Sequence, residues 1–239
     1  MKLSQSANAS DVAPEDRKAV FIDELRRRVL SMALAPGAAL DELALVKEFG
    51  LSRPPIREAF RKIAAEGYIV LKANQAPRVT HVSHTALRDF FHAAPLVYDA
   101  TMQLAARNST PETVANLRRI QNRYRNGLSG KVDELLYLVD ELYIELGNMA
   151  NNGFLIPSLR RLLIDHARLE KTWHLSLTQH DSLRMRRIVC MLHDQIVDAI
   201  EEHNQRRVSY LIQRWMRVAC RTAYNLSATS RWPLTQGSR

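Results

Sequence analysis

Residues 50–60 read GLSRPPIREAF, and the organisation of the chain follows from how that stretch folds. Ile56, Phe60 and Ile63 recur at helical spacing, so an amphipathic helix follows the two prolines and runs to about Glu66, where Gly67 ends it. Proline is tolerated in the first turn of a helix, where an N–H has no acceptor within the helix. A residue before proline is biased away from the α region. The spacing therefore predicts Arg53 and Pro54 extended, Pro54 at the N-cap and Pro55 as the first helical residue. With no side-chain oxygen at that cap, the amides of Ile56 and Arg57 and the positive end of the helix dipole would face solvent or an anion. Ser52, Arg53 and Arg57 stand around this mouth, and Arg61 lies one turn further on. The layout suits a recognition helix entering the major groove by its N-terminus, where guanidinium forks read guanine edges or clamp phosphates. The bland alternative pairs Arg57 with a carboxylate such as Glu42 or Glu48.

Working outward, apolar residues at 21, 22, 25, 29, 30 and 32 predict a first helix over 17–33, stopped by Pro36-Gly37. Leu40, Leu43, Leu45, Val46 and Phe49 predict a second, short helix that begins near Asp41 and closes at Gly50. After the double-proline helix come YIVL (68–71), a turn-like KANQAP, and RVTHV (78–82), which read as a β-hairpin. Three helices and a hairpin in that order predict a winged helix-turn-helix over 17–83, with a flexible arm at 1–16.

From His84 the strand pattern disappears. Helical stretches are predicted near 84–108, 111–127, 131–151, 154–178, 181–203 and 204–228, with Thr110 as N-cap and Pro111 at the first helical position. The expected fold class is thus mostly α: a winged helix-turn-helix followed by an all-α bundle over 84–228 and a polar tail at 229–239. The net charge of +9 favours polyanionic partners, yet residues 1–83 carry 13 Lys+Arg against 10 Asp+Glu and the remainder 21 against 15. Charge alone does not locate the site. Cys190 and Cys220 are too few for a disulfide framework and read as small core residues of a cytoplasmic protein. No run of 18 apolar residues predicts a membrane span, and no nucleophile elbow, phosphate loop, HExxH or CxxC predicts an enzyme.

The stretch LAPGAALDELALVKEFGLSRPPIREAFRKIAAEGYIV resembles the winged-helix domain of GntR-family transcriptional regulators, whose pattern is roughly PGxxLxExxLAxxxGVSRTPVREALxxLxxEGLV. Pro36, Gly37, Leu40, Glu42, Gly50, Ser52, Arg53, Pro55, Arg57, Glu58, Ala59, Glu66 and Gly67 match it, over about residues 18–82. The resemblance implies that Arg53 and Arg57 contact operator DNA and that the wing, here Asn74-Gln75-Ala76-Pro77, reaches the adjacent minor groove. Two departures stand out: Pro54 replaces the family's threonine, and the wing lacks the usual Arg and Gly.

The helical half resembles the FadR subfamily, with an FCD-type ligand-binding bundle. That resemblance implies a metal held by an Asp, a His four residues later, and two His 22 residues apart. Laid on this chain, the pattern falls on Asp140, Ile144, His193 and Trp215, so two of four ligands are lost and neither a metal nor another cofactor is expected. Ile144 and Trp215 would make the cavity apolar, while Asp140 and His193 form a buried pair or grip a polar effector. An Arg-x-x-x-Glu pair usual near position 94 is here Ala94 and Tyr98, which puts organic-acid effectors in doubt. His166 and His174, eight apart, could both face the core. The expected function is a DNA-binding repressor, acting as a homodimer on a palindromic operator of double-stranded DNA, with a small-molecule effector in the helical half. The alternative is an effector-independent regulator whose bundle serves dimerisation only.

Overall fold

A computed structural model describes residues 14–81 and 83–228. Residues 1–13 of the expected arm, Val82 and the expected tail at 229–239 lie outside the described residues. The chain divides into two compact units, one taking residues up to Val29 with Ala33–Thr80, the other Leu30–Met32 with His81 onward.

The first unit comprises α1 (Pro14–Leu30), α2 (Glu42–Phe49), α3 (Arg53–Ala65) and an antiparallel hairpin of β1 (Ile69–Val70) and β2 (Arg78–Val79). Helix α1 starts inside the expected arm and stops three residues short of its predicted end. Proline is favoured in a first turn, and Met32 turns to φ 58°, which no helix continues through. Asp41 caps α2 by accepting from Leu43 N at 2.9 Å and Ala44 N at 3.0 Å, and Gly50 closes it at φ 60° in the left-handed region. The paired strands are shorter than the apolar runs, with Ile69 opposite Val79. A third segment reinforces the hairpin: Leu40 N donates to Pro77 O at 2.8 Å and Val79 N to Ala38 O at 2.9 Å.

This unit has its own core. Phe21, Leu25 and Val29 of α1 and Ile56, Phe60 and Ile63 of α3 are buried, with Ile69 and Val79 of the hairpin closing one side. The Phe21 ring stands edge-on to Phe49 at 4.9 Å and to Phe60 at 6.2 Å.

The second unit is all-α among the described residues: α4 (His84–Asn108), α5 (Pro111–Asn126), α6 (Val132–Ala150), α7 (Leu155–Ser176), α8 (Gln179–Glu201) and α9 (Gln205–Ala228). Thr110 caps α5 with Pro111 behind it, and a reciprocal bond from Thr110 N to Thr113 Oγ1 at 3.0 Å completes a capping box. Asn151 ends α6 at φ 47°. Met102, Leu117, Leu142, Leu146, Leu159, Val197 and Ile212 belong to one continuous core drawn from all six helices. Of the two cysteines, Cys190 is buried as expected; Cys220 is exposed, because its side of α9 faces away from the stripe of Leu211, Ile212, Trp215 and Ala219. Among the described residues no helix is long and apolar enough to cross a membrane.

Truncating a buried anchor of α3 should cost far more than truncating its exposed cations. Ile56→Ala is expected to lose about 2–5 kcal/mol and Arg53→Ala less than about 0.5 kcal/mol in urea unfolding; comparable losses would refute this partition of the helix.

Candidate DNA interface and buried polar cluster

Helix α3 begins two residues earlier than its prolines suggest. Ser52 is the N-cap, with φ −75° and ψ 167°, and Arg53, Pro54 and Pro55 form the first turn. The bias on a residue before proline is a preference, and here burial of Ile56, Ala59, Phe60 and Ile63 along one stripe outweighs it. The shift moves the amides of Ile56 and Arg57 inward to ladder positions, so the open backbone donors expected there are not at the tip. Pro54 and Pro55 carry no N–H at all. The tip nevertheless remains uncapped, because the Ser52 hydroxyl makes no capping bond. Its attraction for anions rests on the helix dipole and on side chains.

Those side chains lie outward. Ser52, Arg53, Pro54, Arg57 and Arg61 are all exposed, and the three arginines, spaced by four, line one face. Arg57 does pair with Glu42, as the bland alternative held, but only through Nε, at 3.1 Å to each carboxylate oxygen, and its side chain stays 61% exposed. Arg53 makes no hydrogen bond or ion pair among the described residues. Nearby carboxylates are occupied by α1 instead: Arg26 grips Glu66 with Nε at 2.9 Å and a terminal nitrogen at 2.6 Å, Arg28 holds Glu48, and Lys18 holds Glu58. In the wing, Asn74 takes φ 58°, and Asn74 and Gln75 are both exposed at its turn.

In the helical unit, polar groups gather within the apolar core. His166, Glu170 and His174 follow one another at intervals of four on α7, which places them on one face. The Tyr98 hydroxyl of α4 lies 3.2 Å from His166 Nδ1, and His166 Nε2 lies 3.6 Å from Glu170 Oε1. The ring of Tyr143 on α6 stands 5.2 Å from His166 and 6.0 Å from His193 on α8, and Tyr124 on α5 stands 5.6 Å from His193. His174 Nδ1 meets the Ser182 hydroxyl at 2.8 Å. Burial works against the charge of Glu170, yet the close approach of His166 and the imidazoles of His166, His174 and His193 more than offset it and hold the carboxyl below its usual range. Burial pushes His193 down to about 4, with Glu170 opposing and His166 assisting. Burial raises the phenols of Tyr98, Tyr124 and Tyr143, so all three stay protonated. Among the described residues the Tyr143 hydroxyl and His193 Nδ1 are buried without a hydrogen-bond partner.

Comparison with known proteins matches residues 19–79 to the model of bacterial regulatory proteins of the gntR family, and residues 97–218 to the FCD domain. The chain belongs to the GntR family. Its FCD domain fits the FadR subfamily, and the family consists of transcription regulators, not enzymes. Among similar proteins, the Nta operon transcriptional regulator of Aminobacter aminovorans is 23% identical over 133 residues, 56% of this chain and 63% of its own length. The HTH-type transcriptional repressor RspR of Escherichia coli strain K12 is 27% identical over 128 residues, 53% of this chain and 56% of its own length. The chain thus spans less than two thirds of these curated relatives. Among solved structures, McbR/YncC of E. coli superposes with a TM-score of 0.75 at 16% identity, over 88% of this chain and 98% of that one, and a GntR regulator of Rhodococcus sp. RHA1 with 0.67 at 16%, over 88% and 98%.

The FCD positions read from the sequence are only partly brought together. His193 is central and 2% exposed, but the carboxylate that acts most on it is Glu170 of α7, not Asp140. Asp140 is half-buried and its charge reaches the Tyr98 hydroxyl. Ile144 packs against the core, and Trp215 stands edge-on to Trp173 at 6.5 Å, so both serve the apolar packing. Among the described residues no three His, Cys, Asp or Glu side chains are placed to hold a metal ion. Sequence reasoning missed Glu170, Tyr124 and Tyr143 and set His166 aside. The spacing of His166, Glu170 and His174 was the available signal, but a carboxylate inside a helical stripe reads as solvated until its burial is known.

The depressed His193 sets a pH dependence. Between about 6.5 and 4 the unfolded chain carries a proton on this residue that the folded chain refuses, so stability falls as pH falls through that window, by at most about 3 kcal/mol. Urea unfolding at pH 7 and pH 4.5 should therefore show a smaller loss in His193→Phe than in the parent; equal losses would assign the dependence to another group.

Proposed function

We propose that this protein is a DNA-binding transcriptional repressor of the cytoplasm that engages a palindromic operator as a homodimer and responds to a small molecule in its FCD domain. The observation that carries the reading is the exposed, uncapped start of α3, where Arg53 has no partner among the described residues and Arg57 is held only by its Nε. In a major groove the terminal nitrogens of both guanidinium groups would be available to a guanine edge or a phosphate. Glu42 would fix the aim of Arg57, as a hydrogen bond to one nitrogen of the fork orients the remainder. Arg61, one turn on, suits the phosphate backbone, and Asn74 and Gln75 suit the neighbouring groove. A twofold axis would set two such helices about one helical turn apart, which calls for an inverted repeat. An effector would act by binding one arrangement of the two heads more tightly than another.

Selection of bound duplexes from a random library by the full chain should enrich an inverted repeat with half-sites about 10 base pairs apart, centre to centre. Failure to enrich any duplex sequence would sink the regulator reading. On the enriched duplex, Arg53→Ala and Arg57→Ala should each weaken binding by roughly 5- to 150-fold in fluorescence anisotropy, the equivalent of about 1–3 kcal/mol for a base contact. Arg61→Ala should act alike on all sequences and lower the salt slope by about one. Glu42→Gln should weaken specific binding more than non-specific binding if it aims Arg57. Light scattering of the free protein tests the homodimer, and a reporter placed behind the selected sequence tests repression.

A further inference from the structure

The buried cluster of the FCD domain names the kind of molecule it would take, an inference that rests on the effector reading above. Glu170 is 5% exposed, and the nearest nitrogen it faces, His166 Nε2, lies beyond hydrogen-bond length at 3.6 Å. If the Tyr98 hydroxyl donates to His166 Nδ1, that ring carries its single proton on Nε2 and brings Glu170 a polarised N–H but no full charge. His174 likewise receives a hydroxyl: Arg186 donates to Ser182 Oγ at 3.3 Å, which leaves the Ser182 proton for His174 Nδ1 at 2.8 Å. The charges of Glu170, Asp140 and Asp165 all reach the Tyr98 hydroxyl, and the buried cation on the same helix, Arg168, is engaged with Asp165 at 3.2 Å. Asp165 is thus matched by Arg168, whereas among the described residues Glu170 has no cation within ion-pair distance except His166 if that ring is protonated.

In the same cluster two buried atoms have no hydrogen-bond partner among the described residues: the hydroxyl of Tyr143, 1% exposed, and Nδ1 of His193, 2% exposed. Their rings are 6.0 Å apart, and the Tyr143 ring lies 5.2 Å from that of His166, which adjoins Glu170. A buried polar atom without a partner costs about 1–3 kcal/mol, so an occupant that satisfies both, and the carboxylate with them, is favoured. Both can accept a hydrogen bond, as Glu170 must. A group with three N–H donors and one positive charge fits that set.

We propose that the FCD domain of this protein binds a primary ammonium group, donating to Glu170, Tyr143 Oη and His193 Nδ1, with the ligand's apolar remainder among the tyrosines. An organic acid would be repelled by Glu170, and a neutral alcohol would satisfy the orphan atoms but not the charge.

Three probes that share one tail separate these cases: butylammonium, 1-butanol and butyrate, added to the full chain at matched sodium chloride. Thermal unfolding should show butylammonium raising the Tm by about 3–6 °C at a ten-fold excess over its Kd, with no shift from the other two. Glu170→Gln should abolish the shift, and Tyr143→Phe, which keeps the ring and removes one acceptor, should weaken binding roughly ten-fold. A shift from butyrate or 1-butanol equal to that from butylammonium overturns the proposal. So does the lack of any butylammonium shift beyond that of sodium chloride, which would leave water as the occupant. Should Glu170→Gln fail to fold, Tyr143→Phe decides, and unchanged affinity there is fatal. Operator affinity with and without butylammonium separates the two readings: a stabilising ligand that leaves DNA binding unaltered removes the sensing role and leaves the ligand class standing.

Discussion

Burial of one face of α3 against α1 fixes everything the first unit presents to its surroundings. Ile56, Ala59, Phe60 and Ile63 are inside, with Phe60 edge-on to Phe21, so the rotation of the helix about its axis is set by packing. Since side chains four apart share a face, that rotation sends Arg53, Arg57 and Arg61 outward together. The hairpin is held by the same core through Ile69 and Val79, and by Leu40 and Ala38 on the segment between α1 and α2. The wing's Asn74 and Gln75 are thereby carried on a braced support.

Three arginines in a stripe repel one another by a few tenths of a kcal/mol per pair, so the arrangement costs the free protein stability. Other carboxylates of α2 and α3 are engaged by α1, with Glu48, Glu58 and Glu66 held by Arg28, Lys18 and Arg26, although the charge of Arg61 still reaches Glu58. Exposed pairs of this kind are each worth little. Their larger consequence is where they leave charge. Glu42 is the exception among the carboxylates near the tip, and its contact with Nε alone anchors Arg57 without covering its outer nitrogens.

The second unit reaches a different settlement between packing and polarity. A carboxylate, imidazoles and tyrosine hydroxyls are enclosed within the apolar core of the six helices, and their mutual bonds are incomplete. Burial of a charge without full compensation is expensive, and an apolar replacement of the same shape would commonly be no less stable. Of the positions at which the resemblance implied metal ligands, two carry Ile144 and Trp215, Asp140 is half-buried, and the most buried carboxylate of the cluster is Glu170 on α7.

The sequence by itself determined the elements and the family. Periodic apolar residues, Asp41 and Thr110 as caps, Gly50 and Gly67 as stops, and the serine, arginine and proline pattern at 52–57 are local signals whose physics acts within a turn or two. They located every helix of the described chain to within a few residues. The tertiary structure alone decided three matters. It decided that α3 starts at Arg53, because a stripe buried across the unit outweighed a local proline bias. It decided that, among the described residues, Arg57 is tied and Arg53 is not, because an ion pair depends on where α2 brings Glu42. And it decided that Glu170 belongs to the interior, since the environment of a charged residue is set by helices distant in sequence, which no periodicity within its own helix can report.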